Sequence, residues 1–195
     1  MSSAMAARLE KMEQVFFMLL YAPVDGGGPE PVRGETWLQK EMYALSRVFP
    51  DLEEDADFED YQYGSYSESV DEVKDQYENS KYLDRGSKGE IQLSAKGRAL
   101  AVEVWSAASE EERQAVREIK EVFNDMSLDE LLLFMYQTYP ETAESSSVRD
   151  RVLSNKFRLA MSLYRKGKVS YQKAAELAGM RLDDFMQRVK MLVNQ

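Results

Sequence analysis

Apolar residues recur at helical spacing along most of the chain, and this pattern predicts a mostly α-helical protein. In residues 6–21 the apolar positions share one helical face, at Leu9, Met12, Val15, Phe16, Leu19 and Leu20. A second stripe lies in the stretch ETWLQKEMYALSRVF, at Trp37, Leu38, Met42, Leu45 and Val48. Each stripe predicts a helix that buries one face in a shared core.

The first 108 residues contain the elements of a winged helix in chain order. A third helix is expected after Ser67, which is a good N-cap residue. Its inward positions are Val70, Val73 and Tyr77. Two short strands, YLDR and EIQL, then flank a turn that contains glycine, and Ser94 opens another helix. The order of three helices, a β-hairpin wing and a helix predicts a winged-helix domain over residues 1–108.

Two capping boxes predict a connecting pair of helices over residues 109–140. Ser109 is followed three residues later by Glu112, and Ser127 is followed in the same way by Glu130. The polar stretch PETAESSS comes next and predicts a linker. A separate module is therefore expected over residues 148–195.

The pattern of this last module is typical of a helix-turn-helix. Residues 148–167 predict one helix that ends at Gly167, with Val152, Phe157, Met161, Leu163 and Tyr164 towards the core. Ser170 is the expected N-cap of the next helix, and Gly179 supplies a tight turn. Small Ala175 allows a close helix crossing, and the space between the helices is filled by Leu177, Leu182, Phe185 and Val189.

Charge is distributed unevenly, and this changes what the net charge of −10 implies. Residues 51–80 hold twelve acidic residues and one basic residue, whereas residues 148–195 hold eleven basic and four acidic residues. Attraction to phosphate depends on the local patch, because salt screens charges beyond roughly 8–10 Å. The acidic total therefore does not exclude nucleic-acid binding by the basic module.

Histidine and cysteine are both absent, which excludes several classes of site. There is no disulfide, no thiol nucleophile, no zinc site of the usual nitrogen and sulfur ligands and no histidine general base. The acidic run lacks the spacing of an EF-hand. We therefore expect no enzyme, catalytic residue, metal site or cofactor. No membrane span or signal peptide is apparent, so a cytoplasmic location is expected.

The stretches LQKEMYALSRVF and YQYGSYSESVDEVKDQYENSKYLDR resemble the YwgA and Panacea (SocA-like antitoxin) group of prokaryotic proteins. The shared features are a Leu-Gln-Lys helix start, a Tyr-Gly-x-Tyr-Ser turn and a wing, and the likeness extends over residues 8–139. The resemblance implies a winged-helix fold and a loosely defined role in toxin neutralisation.

The stretch LYRKGKVSYQKAAELAGMRLDDFMQRV resembles the tail of small antitoxin-like helix-turn-helix proteins of prokaryotes. This likeness covers residues 155–192. It implies a transcription regulator or an antitoxin-like protein.

Acidic residues dominate the helix after Ser67, which has the position of the groove-reading helix in a winged helix. These carboxylates would repel phosphate, so this helix is expected to avoid DNA. A docking surface for a basic, toxin-like protein is predicted at Glu68, Asp71, Glu72 and Asp75. The alternative is a solvated face without a partner.

DNA contact is predicted for both helices of the helix-turn-helix, through phosphate and base edges. The predicted residues are Ser170, Tyr171, Gln172, Lys173, Arg181, Gln187, Arg188 and Lys190. Asp183 and Asp184 would be repelled by phosphate where the second helix enters the major groove. Their structural role would be to interact with the helix dipole. A packing or dimerising role of the module is the alternative.

Together these patterns predict a non-enzymatic DNA-associated regulator with an acidic, protein-binding winged helix and a basic, DNA-binding tail. A homodimer that reads two half-sites about 34 Å apart is expected, because single helix-turn-helix units bind weakly. The rival hypothesis is a protein–protein adaptor that never contacts DNA.

Overall fold

The computed structural model describes residues 6–24, 27–59, 64–144 and 146–193. The chain folds into two compact units. Unit 1 comprises Met1–Glu59 and Ser65–Asn124, and unit 2 comprises Asp60–Gly64 and Asp125–Gln195.

Unit 1 is mostly helical and contains a small antiparallel sheet. Its helices are α1 (Lys11–Tyr21), α2 (Glu35–Ser46), α3 (Pro50–Ala56), α4 (Glu68–Asn79), α5 (Ala95–Ala107) and α6 (Glu110–Phe123). Its strands are β1 (Leu83–Arg85) and β2 (Ile91–Leu93).

Unit 2 consists of helices and turns in its described residues. Its α-helices are α7 (Leu128–Thr138), α8 (Arg149–Ser154), α9 (Lys156–Arg165), α10 (Tyr171–Leu177) and α11 (Leu182–Val193), with a 3-10 turn at Pro140–Ala143. None of the helices in the described parts of the two units has the length and apolar character needed to cross a membrane. The expected mostly helical fold with a small β-hairpin is confirmed.

Helix α1 lies at the centre of unit 1. It packs against α3, α5 and α6, and six consecutive residues, Val15 to Leu20, are buried. The prediction of one inward face was therefore incomplete, because neighbours on several sides cover Phe17 and Met18 as well. Helical spacing identifies residues that share a face, but it does not show how many faces are covered.

Strands β1 and β2 pair in antiparallel register, with Asp84 opposite Gln92. Val32, in the segment between α1 and α2, forms an isolated antiparallel bridge to Ile91 of β2. Two backbone hydrogen bonds make this bridge, with N···O distances of 2.9 and 2.8 Å. A third segment is thus attached to the edge of the hairpin.

Serine N-caps open five of the helices, as the sequence predicted. In each case the serine hydroxyl accepts a hydrogen bond from the amide three residues later, which satisfies a backbone donor at the helix start. The caps are Ser67, Ser94, Ser109, Ser127 and Ser170. Full capping boxes are present at Ser109 with Glu112 and at Ser127 with Glu130.

The single helix predicted over residues 148–167 is wrong, because the structure has α8 and α9 with a break at Asn155. Asn155 has φ −103° and ψ 8°, outside the α-helical region. Its side-chain amide donates to the carbonyl of Arg151 at 3.0 Å. Asparagine side chains compete in this way with the regular backbone hydrogen bonds of a helix.

Three residues predicted to face the core are exposed instead. Val48 is 50% exposed because α2 ends at Ser46, so the helical spacing no longer applies two residues later. Tyr164 and Leu182 are 38% and 41% exposed. Among the other predicted inward positions of the last module, Val152, Met161, Leu163, Leu177 and Phe185 are buried.

The division into two units differs from the predicted domain boundaries at 108 and 140–148. Helix α6 belongs to unit 1, whereas α7 belongs to unit 2 and packs against α9 and α10. The predicted connecting pair is thus split between the units. Helix α7 is apolar nearly all round because it forms part of the core of unit 2, where Leu131, Leu132 and Leu133 are all buried.

Candidate nucleic-acid interface

Residues 170–193 form two helices joined by a tight turn, which we call the two-helix segment. Gly179 has φ +63°, a left-handed conformation that glycine adopts without strain. Its amide donates to the carbonyl of Glu176 at 2.8 Å, and the amide of Met180 donates to that of Ala175 at 3.0 Å. These two bonds make a Schellman ending of α10, which turns the chain towards α11.

An aromatic cluster fixes the two-helix segment against α9. The ring of Phe185 lies 5.4 Å from that of Phe157 and 5.2 Å from that of Tyr171, and Tyr171 lies 4.9 Å from Tyr164. Phe185 is fully buried, and Ala175 is nearly so. The predicted close crossing at a small residue is therefore present.

The predicted DNA-contacting residues differ in exposure. Tyr171 and Lys173 are half-buried, and both have structural contacts. Tyr171 belongs to the aromatic cluster, while the ammonium of Lys173 lies 3.6 Å from Glu176 and 5.6 Å from the ring centre of Phe134. The exposed members are Ser170, Gln172, Arg181, Gln187, Arg188 and Lys190.

The exposed cations of α11 and of the turn before it are held only loosely. Arg181 lies 3.8 Å from Asp183, and both side chains are more than three-quarters exposed. Arg188 lies over the ring of Phe157 at 4.1 Å, which leaves the guanidinium edge accessible. Within the described residues, Lys190 has no ion pair. These groups remain available to a ligand.

Acidic residues of unit 2 offset much of its positive charge. Lys166 pairs with Glu130 at 2.7 Å, Lys168 with Asp125 at 3.3 Å, and Arg151 with Asp129 at 2.7 Å. Unit 2 as a whole holds eleven basic and ten acidic residues, a net charge of +1. The positive charge counted over residues 148–195 is therefore largely neutralised by α7 and the residues around it.

Helix α4 contains the predicted protein-docking residues, and two of the four have partners within the unit. Asp71 and Asp75 lie 2.6 and 3.2 Å from the ammonium of Lys74, whose side chain is buried. Burial alone would lower the pKa of Lys74, but the hydrogen bonds to Asp71 and Asp75 raise it. Glu68 and Glu72 are exposed.

A buried polar contact that the sequence patterns did not predict joins α2 to the segment before α4. The side-chain amide of Gln39 donates to the carbonyl of Ser67 at 3.0 Å, and its oxygen accepts from the amide of Ser67 at 2.9 Å. The ammonium of Lys40 donates to the carbonyl of Ser65 at 2.6 Å. Burial lowers the pKa of Lys40 to about 7. The available signal was the pair of polar stretches Gln39-Lys40 and Ser65-Tyr66-Ser67, which the structure brings together.

A buried pair of opposite charges was also missed. Glu41 on α2 and Lys120 on α6 are fully buried, and the Glu41 carboxylate has no hydrogen-bond partner among the described residues. Burial raises the pKa of Glu41, and the charge of Lys120 opposes this shift. Burial likewise lowers the pKa of Lys120, whose ammonium donates to the carbonyl of Leu20 at 3.3 Å. The signal was present in the spacing, because Glu41 falls on the stripe that contains Leu38 and Leu45.

The described residues hold no group of three or more acidic side chains arranged to bind a metal ion.

Comparison with known protein families gives a match to the last part of the chain. Residues 130–191, about a third of the chain, match the model of an uncharacterised protein family (UPF0175). The match lies within unit 2 and runs from α7 into α11. The chain has no match among curated proteins or solved structures, so the likeness of residues 8–139 to the YwgA and Panacea group stays a prediction.

Proposed function

We propose that this protein is a regulator that contacts double-stranded DNA through unit 2 and another protein through unit 1. The observation that carries the proposal is the set of exposed polar and basic side chains on α11 and in the turn before it. Arg181, Gln187, Arg188 and Lys190 are exposed on this helix and in the turn before it, beside a glycine turn that sets the direction of the helix. Arginine, lysine and glutamine are the side chains that most often contact phosphates and base edges.

The charge of unit 2 sets the expected strength of this contact. Asp183 and Asp184 are exposed in the first turn of α11, where they oppose phosphate. With a net charge of only +1, unit 2 would bind DNA weakly and with a clear dependence on salt. The family match over residues 130–191 is compatible with a small antitoxin-like protein but assigns no activity.

For unit 1 we propose a winged helix that binds a protein rather than DNA. The order of the helices and the hairpin supports this fold, as does the bridge of Val32 to Ile91, which adds a third segment to the wing. Helix α4 would be the groove-reading helix, yet its one cation, Lys74, is buried. The exposed carboxylates Glu68 and Glu72 favour a basic protein partner, such as a toxin.

Fluorescence anisotropy with mixed DNA fragments tests DNA contact. The variant Arg181→Gln/Arg188→Gln should bind about tenfold more weakly. The slope of log affinity against log salt should become less steep, by the amount that roughly two phosphate contacts contribute. The matched control is Arg149→Gln/Arg165→Gln, which removes the same charge from exposed positions outside the two-helix segment. Equal binding by both variants would show a general charge effect and would contradict the assignment.

The adaptor hypothesis is the second candidate, and the near-neutral charge of unit 2 favours it. Under this hypothesis the two-helix segment serves only for packing or for protein contact. The full chain should then fail to bind DNA even at about 50 mM salt, where phosphate contacts are strongest. Retained capture of a basic protein, lost in Glu68→Gln/Glu72→Gln, would accompany that result.

A further inference from the structure

Helix α11 exposes an apolar stripe along one side. Leu182 and Met186 are 41% and 37% exposed, and Val189 is half-buried on the same side. The positions 182, 186 and 189 have the alternating spacing of four and three residues that forms a coiled-coil seam. Exposed apolar residues that line up at this spacing are typical of a helix-pairing surface.

The charges beside the stripe are complementary to those of a second copy. In the heptad that makes the stripe the a and d positions, Asp183 and Lys190 both occupy e, one heptad apart. In an antiparallel pair of helices the e positions face each other. Asp183 of each copy would then lie opposite Lys190 of the other, giving two symmetric ion pairs.

A parallel pair lacks this complementarity. The e positions would face the g positions, which in α11 are Phe185 and Leu192, so no ion pair would form. Asp183 lies near only the exposed Arg181, at 3.8 Å, and Lys190 has no ion pair within the part of the chain that the structure describes. Both side chains are exposed, so a partner can reach them.

We infer that α11 pairs antiparallel with α11 of a second copy of this chain. The seam has few apolar positions, so the dimer should be weak and visible only at high protein concentration. This dimer differs from the one expected from the sequence, in which two copies read neighbouring half-sites. Lys190 serves both the seam and the proposed DNA contact, so DNA should compete with self-association.

Sedimentation equilibrium of the full chain, without DNA, tests the charge pairs. Asp183→Lys alone and Lys190→Asp alone should each raise the dimer Kd about tenfold, because they place like charges opposite each other. The double variant Asp183→Lys/Lys190→Asp should restore the dimer. An equimolar mixture of the two single variants should form a heterodimer, because each then presents two charges that the other attracts.

Matched controls separate the seam from changes within the helix. Asp184→Lys makes the same charge change in the same first turn but at a position away from the seam, so it should leave the dimer Kd unchanged. In the seam itself, Leu182→Gln/Met186→Gln should abolish the dimer, whereas Met191→Gln changes an apolar residue that is 64% exposed on the opposite side and should not.

Two results would overturn the inference. One is a chain that stays monomeric at several hundred micromolar protein, and the other is a double charge swap that fails to restore association. These measurements contain no DNA. A monomeric result would therefore leave the proposed DNA contact standing. Conversely, the DNA-binding result for Arg181→Gln/Arg188→Gln does not decide whether the chain forms a dimer.

Discussion

At the scale of single residues, the most unusual feature is the carboxylate of Glu41, buried in unit 1 opposite the charge of Lys120. A carboxylate without hydrogen bonds is costly to keep charged in a protein interior. Burial raises the pKa of Glu41 from its ordinary value of 4.5 to about 8 in the folded chain. The folded protein therefore binds a proton that the unfolded chain releases at lower pH.

We predict that Glu41→Gln removes part of the pH dependence of stability. With a raised folded-state pKa, the stability from protonated Glu41 is fully present below pH 4.5 and is lost as the pH rises through about 8. The free energy of unfolding of Glu41→Gln minus that of the native chain should therefore increase as the pH rises from 5 to 8. The limiting slope of this difference is about 1.4 kcal/mol per pH unit.

Tryptophan fluorescence measures this effect directly, because Trp37 and Trp105 both lie in unit 1. Denaturant unfolding followed at several pH values gives the free energy of unfolding of that unit. The control is Glu72→Gln, which changes an exposed carboxyl group. Parallel pH profiles for the native chain and Glu41→Gln would show that Glu41 titrates normally.

At the scale of secondary-structure elements, α5 crosses the start of the wing at Gly97. A methyl group placed on Gly97 would lie 2.0 Å from the carbonyl oxygen of Tyr82, a backbone atom that cannot move aside alone. The same carbonyl accepts the amide of Ser94 at 2.9 Å, so it is held where it meets α5. Glycine is required at this position because the helix and the hairpin lie too close together for a side chain.

We predict that Gly97→Ala destabilises unit 1 by about 1–3 kcal/mol, the usual cost of overpacking. In an open helical position the same change would stabilise by roughly 1 kcal/mol. Ala99→Gly, at an exposed position of α5, is the control. It measures the difference in helix propensity between alanine and glycine without a steric clash, and it should destabilise by that amount. Fluorescence-detected denaturation of both variants decides the sign, and a stabilised Gly97→Ala would refute the crossing.

Elements were predictable from the sequence where their causes are local. Ser67 and Ser127 mark helix starts because the capping bond forms within one turn. The break at Asn155 and the end of α2 before Val48 were missed, since apolar spacing continues through both.

The candidate site was predictable only in part. The glycine turn at Gly179 was expected from the sequence, but the exposure of Tyr164 and Leu182 depends on which neighbours cover them. The pairing of Lys166 with Glu130 was hidden for the same reason, because the partners are 36 residues apart.

At the scale of the whole molecule, the two units differ in charge and have separate cores. Unit 1 has a net charge of −11 and unit 2 of +1. All residues of the main hydrophobic core cluster, from Met12 to Val116, lie in unit 1. Unit 2 is built around its own buried residues, such as Leu132, Leu163 and Phe185.

We predict that the units respond separately to a cavity mutation. Phe185→Ala removes a fully buried ring and should destabilise unit 2 by about 3–5 kcal/mol. Far-UV circular dichroism should show an early loss of helix, while the midpoint followed by Trp37 and Trp105 stays unchanged. A common shift of both signals would mean that the chain unfolds as one cooperative body.

The capping box at Ser127 has a consequence for the transfer of this gene segment between genes. Ser127 and Glu130 complete the start of α7 within unit 2, two residues after that unit resumes at Asp125, so the helix needs no capping group from the preceding chain. A gene segment encoding residues from 125 onward could therefore be joined behind an unrelated coding sequence without losing the start of its first helix.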